Sequence, residues 1–226
     1  MVNQEMKKSV FALPLICVLA TTAGINVLTE HSKAQASTQP SIDLETLRDA
    51  ALAKHNEYRK LHDAPPLQLD SGLNASAQAY AEELARRNED GSANDPYFEH
   101  SNNRDGVGEN LDYHATTNSI PSASALADKV VEGWYIEVND YDFNNPGKQK
   151  PGREKEQIGH FTQVVWKETS KVGCGAATAN ITFNSGNKAT GVFTVCHYSP
   201  GGNVRMMDDS QSEYVLYEQN VVPTNR

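Results

Sequence analysis

The side chains in this sequence with the most chemistry to offer are two histidines and two glutamates in unusual surroundings. His160 stands between Gly159 and Phe161, and His100 lies in Phe98-Glu99-His100-Ser101 beside a glycine-rich turn. Imidazole binds metals and moves protons near neutral pH, so either residue could serve as ligand or base. Taken singly, each reads equally as a structural histidine. Their spacing of 60 positions matches no local metal motif of the His-Glu-x-x-His kind. Glu109 follows a glycine in Gly108-Glu109-Asn110-Leu111, and a glycine there lets backbone approach closely. Such a residue is either a site carboxylate or a turn carboxylate capping a nearby amide. Glu137 is placed by helical periodicity. With Leu126 at 0°, Val130 falls at about 40°, Trp134 at about 80° and Glu137 at about 20°. A carboxylate on an apolar stripe is costly unless charge, metal or hydrogen bonds compensate it. The other reading is that the helix frays near its end and Glu137 reaches water. His55, His62, His114 and His197 have no identifiable partner and read as surface or packing residues. The sequence contains no Gly-x-Ser-x-Gly nucleophile elbow.

The elements that must position these groups follow from periodicity and punctuation. Residues 42–61 carry Leu44, Leu47, Ala51, Tyr58 and Leu61 at helical spacing, and Ala64-Pro65-Pro66 ends that helix. Leu67 and Leu69 form a short extended link. Asp70 or Ser71 caps a second helix whose stripe is Leu73, Ala77, Tyr80, Ala81 and Leu84. Residues 98–111 read as irregular and glycine-rich. A third helix spans residues 122–138, followed by a polar loop over 139–157. Residues 161–166, 172–179 and 191–198 are rich in β-formers, with Asn184-Ser185-Gly186-Asn187 as a hairpin turn. On this reading His160 sits at the mouth of a strand. Helices first and strands later predict an α+β fold, with helices packed on an antiparallel sheet.

The chain has 226 residues, with 20 Lys+Arg against 29 Asp+Glu and a net charge of −9. That length allows one domain plus extras. With 38% hydrophobic and 22% charged residues the chain is not broadly disordered, and its acidity argues against a nucleic-acid binder. Lys7 and Lys8 precede an apolar stretch to about Leu28, and Ala34-Gln35-Ala36 fits a signal-peptidase site. Residues 1–36 are therefore expected to be a secretory signal peptide, with Ala23 as a second cleavage candidate and an uncleaved anchor as the competing reading. A lipidated Cys17 is disfavoured by Ile16 before it. Residues 37–44 form a polar lead. Removing 1–36 takes away Cys17 and leaves Cys174 and Cys196, which in an oxidising compartment read as one disulfide or else as two buried thiols. Asn74-Ala75-Ser76 and Asn180-Ile181-Thr182 are glycosylation sequons, meaningful if the source is eukaryotic.

Several blocks together resemble one family. Gly159-His160-Phe161-Thr162-Gln163-Val164-Val165-Trp166, followed by Val172-Gly173-Cys174-Gly175, is similar to the first signature of the CAP superfamily. This family comprises the cysteine-rich secretory, antigen 5 and pathogenesis-related 1 proteins, or SCP domain. Cys196-His197-Tyr198-Ser199-Pro200-Gly201-Gly202-Asn203-Val204 resembles its second signature. Gly108-Glu109-Asn110-Leu111 and His55-Asn56-x-x-Arg59 resemble two further blocks. The likeness covers about residues 45–222, and Trp134 through Phe143 is most similar to the fungal secreted and Golgi-associated branches.

The resemblance implies a three-layer α-β-α sandwich with a central antiparallel sheet. It implies a cleft in which His100 and His160 hold a divalent cation such as Zn²⁺, weakly bound, with Glu109 and Glu137 orienting the site or acting as base. It further implies a secreted, extracellular factor that binds lipid or sterol, with Tyr141 and Phe143 as candidate ligand contacts. The alternatives are a metal-dependent hydrolase, such as a protease, and a defence or host-interaction factor acting on another organism's surface. Neither nucleic acid nor stable membrane insertion after signal cleavage is expected. Two departures stand out. Thr194 occupies a usually apolar position, and Ala115 stands where some members have a serine.

Overall fold

The computed structural model describes residues 41–102, 104–205 and 215–224, all within the unit Thr38–Arg226; the expected signal peptide lies outside the described residues. The sheet carries the architecture. β4 (Lys171–Thr182) and β5 (Lys188–Ser199) form a long antiparallel hairpin, and β3 (Gly108–Thr116) pairs antiparallel with β5. β1 (Gln68–Leu69) and β2 (Gly91–Ser92) each add two residues parallel to β4. The sheet is thus antiparallel in its long strands and mixed at its edge.

Alternation along β5 sorts the two faces. Val192, Cys196 and Tyr198 join a core with Leu47, Leu126, Trp134 and Phe161. Phe193 and Val195 join a second core with Ala77, Ala81 and Leu84. Helix α2 (Ser71–Asn88) therefore covers one face, while α1 (Leu44–Leu61), α3 (Ala123–Tyr135) and α4 (Gly159–Val165) cover the other. This is the three-layer sandwich. A last helix, α5 (Val215–Asn220), adds Tyr217 to the first core.

Local chemistry explains the elements. Asp43 and Asp70 cap α1 and α2 by accepting two backbone N–H groups each, and Ser122 caps α3. Helix α2 lies close on β4 because Gly173 and Gly175 are bare. A Cβ on Gly173 would stand 2.2 Å from Asn74 N, and one on Gly175 would stand 2.4 Å from Gln78 Cα. Asn74 and Gln78 fasten this contact by accepting the Cys174 and Ala176 N–H groups. Asn74 is thus held by its side chain, and Asn180 of the second sequon is bonded to Glu89. Cys174 and Cys196 face each other in the β4–β5 register with Cα atoms 4.2 Å apart, and they form the disulfide.

Three expectations change. Residues 161–166 are not a strand: Gly159–Val165 is a helix buried on nearly every side, from Phe161 through Val165. Full burial erases the periodic signal, and tertiary packing overrides the β preference of its valines. Residues 108–111 are not irregular but open the nine-residue β3, whose Leu111, Tyr113 and Ala115 pack towards α2. The third helix stops at Tyr135 and tightens into a 3₁₀ turn, Ile136–Asn139, that contains Glu137.

Candidate functional site

The site is built from two carboxylate–imidazole pairs at one end of the sheet. Glu109 is the second residue of β3, and its side chain has no exposed surface. Its Oε1 accepts from His100 Nδ1 at 2.7 Å and from the Ser101 N–H at 2.9 Å. Its Oε2 accepts from Ser101 Oγ at 2.6 Å and from His197 Nε2 at 2.9 Å. Arg104 Nη1 stands 3.7 Å from Oε1. Burial by itself would raise this carboxyl's pKa, but the donors from His100, His197 and Ser101 outweigh it and hold the pKa far below the usual carboxylate range.

The second pair joins the 3₁₀ turn to α4. Glu137 Oε1 accepts from His160 Nδ1 at 2.7 Å. Its Oε2 accepts the backbone N–H groups of His160 at 2.9 Å and Phe161 at 3.1 Å. Ile158, at the cap position of α4, supplies no side-chain bond, so Glu137 caps this helix from 23 residues away. Glu137 therefore faces inward, as the stripe placed it, but from the 3₁₀ turn rather than from the helix. The Trp134 ring stacks beside the His160 imidazole at 6.2 Å and donates its indole N–H to Leu111 O.

Adjacent residues of β3 connect the two pairs. Successive side chains of a strand point to opposite faces, so Glu109 turns towards α2 while Asn110 turns towards α4. Asn110 Nδ2 donates to the His160 carbonyl at 3.1 Å. His100 borders two open cavities. One, of about 590 Å³, is lined by Glu109, Gln163 and Asn203; the other, of about 530 Å³, by Gly159, Thr162 and Glu156. Gly159 flanks His160 directly. Among the described residues, no three His, Cys, Asp or Glu side chains converge at metal-binding distance.

His197 is a site residue that the sequence did not reveal. It lies directly opposite Glu109 in the β3–β5 register, and its Nδ1 stands 2.8 Å from Ser76 Oγ on α2. The antiparallel pairing carries the signal, and it became readable only once β3 was known to be a strand. His55 and His62 are buried packing residues. His55 bonds Ala51 O and the Tyr198 hydroxyl, while His62 bonds Val222 O and the Tyr135 hydroxyl. Tyr141 is fully buried against Phe143 and Phe161, and its hydroxyl accepts the Gly147 N–H. Phe143 is half-buried at the edge of that cluster.

Comparisons with known proteins agree with this architecture. The human Golgi-associated plant pathogenesis-related protein 1 is 34% identical over 177 residues, covering 77% of this chain and 92% of that protein. Protein PRY2 of Saccharomyces cerevisiae is 34% identical over 153 residues, covering 67% of this chain and 36% of that protein. This chain therefore spans about a third of the yeast protein's length. A crystal structure of NaASP2 with Zn²⁺ shares the fold at a TM-score of 0.51 and 22% identity, covering 80% of this chain and 87% of that one. No helix among the described residues is long and apolar enough to cross a membrane. The model of the cysteine-rich secretory protein family, CAP, matches residues 52–198, and the chain belongs to that family.

Proposed function

We propose that this is a secreted binding protein whose two-histidine, two-glutamate cleft holds a divalent cation and which takes up a lipid or sterol. One observation carries the cation reading. Each imidazole is fixed through Nδ1 by a carboxylate, which directs the lone pair of Nε2 away from that carboxylate. A carboxylate on the far nitrogen is the usual support for a metal-bound histidine, and neutral imidazole suits zinc. His100 and His160 would be the ligands, and Glu109 and Glu137 their orienting partners. Two protein ligands give weak, exchangeable binding, unlike a four-ligand structural zinc. For a lipid chain, Phe143 is the accessible aromatic, with Tyr141 behind it.

The geometry speaks against metal-assisted hydrolysis. With Glu109 or Glu137 as its base, such a reaction needs that carboxylate free to take a proton from water. Glu109 is held by His100, His197 and Ser101, and Glu137 by His160 and the start of α4. Zinc titration by calorimetry on the metal-free protein tests the proposal. We expect one saturable site, lost in His100→Ala and in His160→Ala. Equal zinc uptake by the double variant would overturn the cation reading. In a parallel titration with a fluorescent sterol, the lack of any saturable signal would overturn the lipid reading.

A further inference from the structure

Glu109 also belongs to a second constellation, which shares this carboxylate, and Ser101 and Arg104 beside it, with the candidate cation cleft. Ser76, His197 and Glu109 lie in line, with Ser76 Oγ 2.8 Å from His197 Nδ1 and His197 Nε2 2.9 Å from Glu109 Oε2. Glu109 Oε2 also accepts from Ser101 Oγ, so the carboxylate acts as acceptor here. The proton between His197 and Glu109 therefore belongs to Nε2. That leaves Nδ1 as an acceptor for the Ser76 hydroxyl proton. The hydroxyl has one other acceptor, the Leu73 carbonyl, at a longer 3.1 Å. Ser76 is exposed, whereas His197 and Glu109 are buried behind it. Together Ser76 and His197 open onto a cavity of about 390 Å³ that Ala79, Tyr80, Val107 and Arg104 also line. That volume lies within the range of small-molecule sites.

We propose that Ser76, His197 and Glu109 form a nucleophile–base–carboxylate relay that hydrolyses esters of small apolar acids bound in this cavity. Ser76 Oγ bonds to the ester carbonyl carbon while its proton passes to His197 Nδ1 and the carbonyl electron pair moves onto oxygen. The adduct collapses, the carbon–alkoxy bond breaks, and the leaving oxygen takes the proton from Nδ1 to depart as an alcohol. Water then gives a proton to Nδ1 and its oxygen to the acyl carbon. The carbon–Oγ bond breaks, the carboxylic acid leaves, and Ser76 recovers the proton. Ser76 sits inside α2, where backbone N–H groups are committed to the helix. The donor for the oxyanion is therefore a side chain, and Arg104 is the cationic one in the lining. Ala79, Tyr80 and Val107 give the acyl group apolar walls. Glu109 is a positioning residue that acts through the imidazole. The relay uses no cation, although it shares Glu109 with the cleft.

Hydrolysis of p-nitrophenyl butyrate by the full chain in EDTA tests this, together with phosphonylation by a fluorophosphonate read by peptide mass spectrometry. We expect saturable hydrolysis that falls by about 100-fold in Ser76→Ala and in His197→Gln, in line with loss of a nucleophile or base. We expect the phosphonyl group on the peptide containing Ser76. For Glu109, ring ¹⁵N shifts of His197 should place the proton on Nε2. Hydrolysis that survives Ser76→Ala, an unlabelled Ser76, or a proton on Nδ1 would overturn the relay. Activity that EDTA abolishes and Ser76→Ala spares would assign any hydrolysis to the cation cleft instead.

Discussion

Thr194 shows how one residue's chemistry can conflict with its place. It lies on β5 between Asp112 of β3 and Ala176 of β4, is almost fully buried, and faces the core that holds Val192 and Cys196. Its hydroxyl oxygen finds no hydrogen-bond partner among the described residues. A buried polar group left unpaired loses its hydration without return. Thr194→Val keeps the shape and removes the hydroxyl, so it should stabilise the fold by about 1 kcal/mol. A urea unfolding midpoint that does not rise would contradict this. The departure at this position was legible in the sequence, but its cost was not, because satisfaction of a hydroxyl depends on neighbours from two other strands.

At the level of elements, α4 depends on a distant residue for its start. It has seven residues and no side-chain cap of its own, and two of its free N–H groups are answered by Glu137. The same carboxylate fixes His160, so helix start and candidate ligand share one support. Glu137→Ala should destabilise the protein by about 2 kcal/mol, the scale of losing a helix cap and leaving part-buried donors unpaired. It should also weaken zinc binding tenfold or more, the usual effect of removing such a support. Equilibrium unfolding and zinc calorimetry on one preparation measure both. A variant as stable as the parent, with unchanged affinity, would show that this carboxylate caps nothing. The third helix and the β4–β5 hairpin were readable from periodicity and turn residues. The short buried α4 was not, since a helix surrounded by core on nearly all sides shows no polar face.

For the whole molecule, the buried histidines set how the fold responds to acid. His55 is fully enclosed between α1 and β5, and burial lowers its pKa to about 4 from the ordinary 6.5. Burial lowers His62 as well. The folded protein thus resists protonation that the unfolded chain accepts. The stability this represents is complete above about pH 6.5 and is lost as pH falls towards about 4. For His55 the loss is about 3 kcal/mol. The carboxyl of Glu109, held low by its donors, adds stability that is present above the ordinary glutamate range and disappears in stronger acid. Urea unfolding at pH 7 and pH 5 should show a fall in stability that is smaller in His55→Gln. An equal fall in parent and variant would mean that another group dominates.

The sequence by itself determined the helical stripes, the hairpin, and the blocks that identify the family, and it left Cys174 and Cys196 as either a disulfide or two thiols until the β4–β5 register joined them. For Glu137 it left two readings, inward on the stripe or frayed towards water, and the bonds from a 3₁₀ turn to the start of α4 decided between them. The stripes, the hairpin and the blocks are local, or are carried by residue identity, so no contact had to be known to read them. Only the tertiary structure decided which groups meet. His100 and Glu109 come together by the turn into β3, His160 and Glu137 across the gap between a 3₁₀ turn and α4, and His197 with Ser76 through strand register and two glycines that admit α2. Such meetings depend on how separate elements close on one another, and spacing along the chain does not encode that distance.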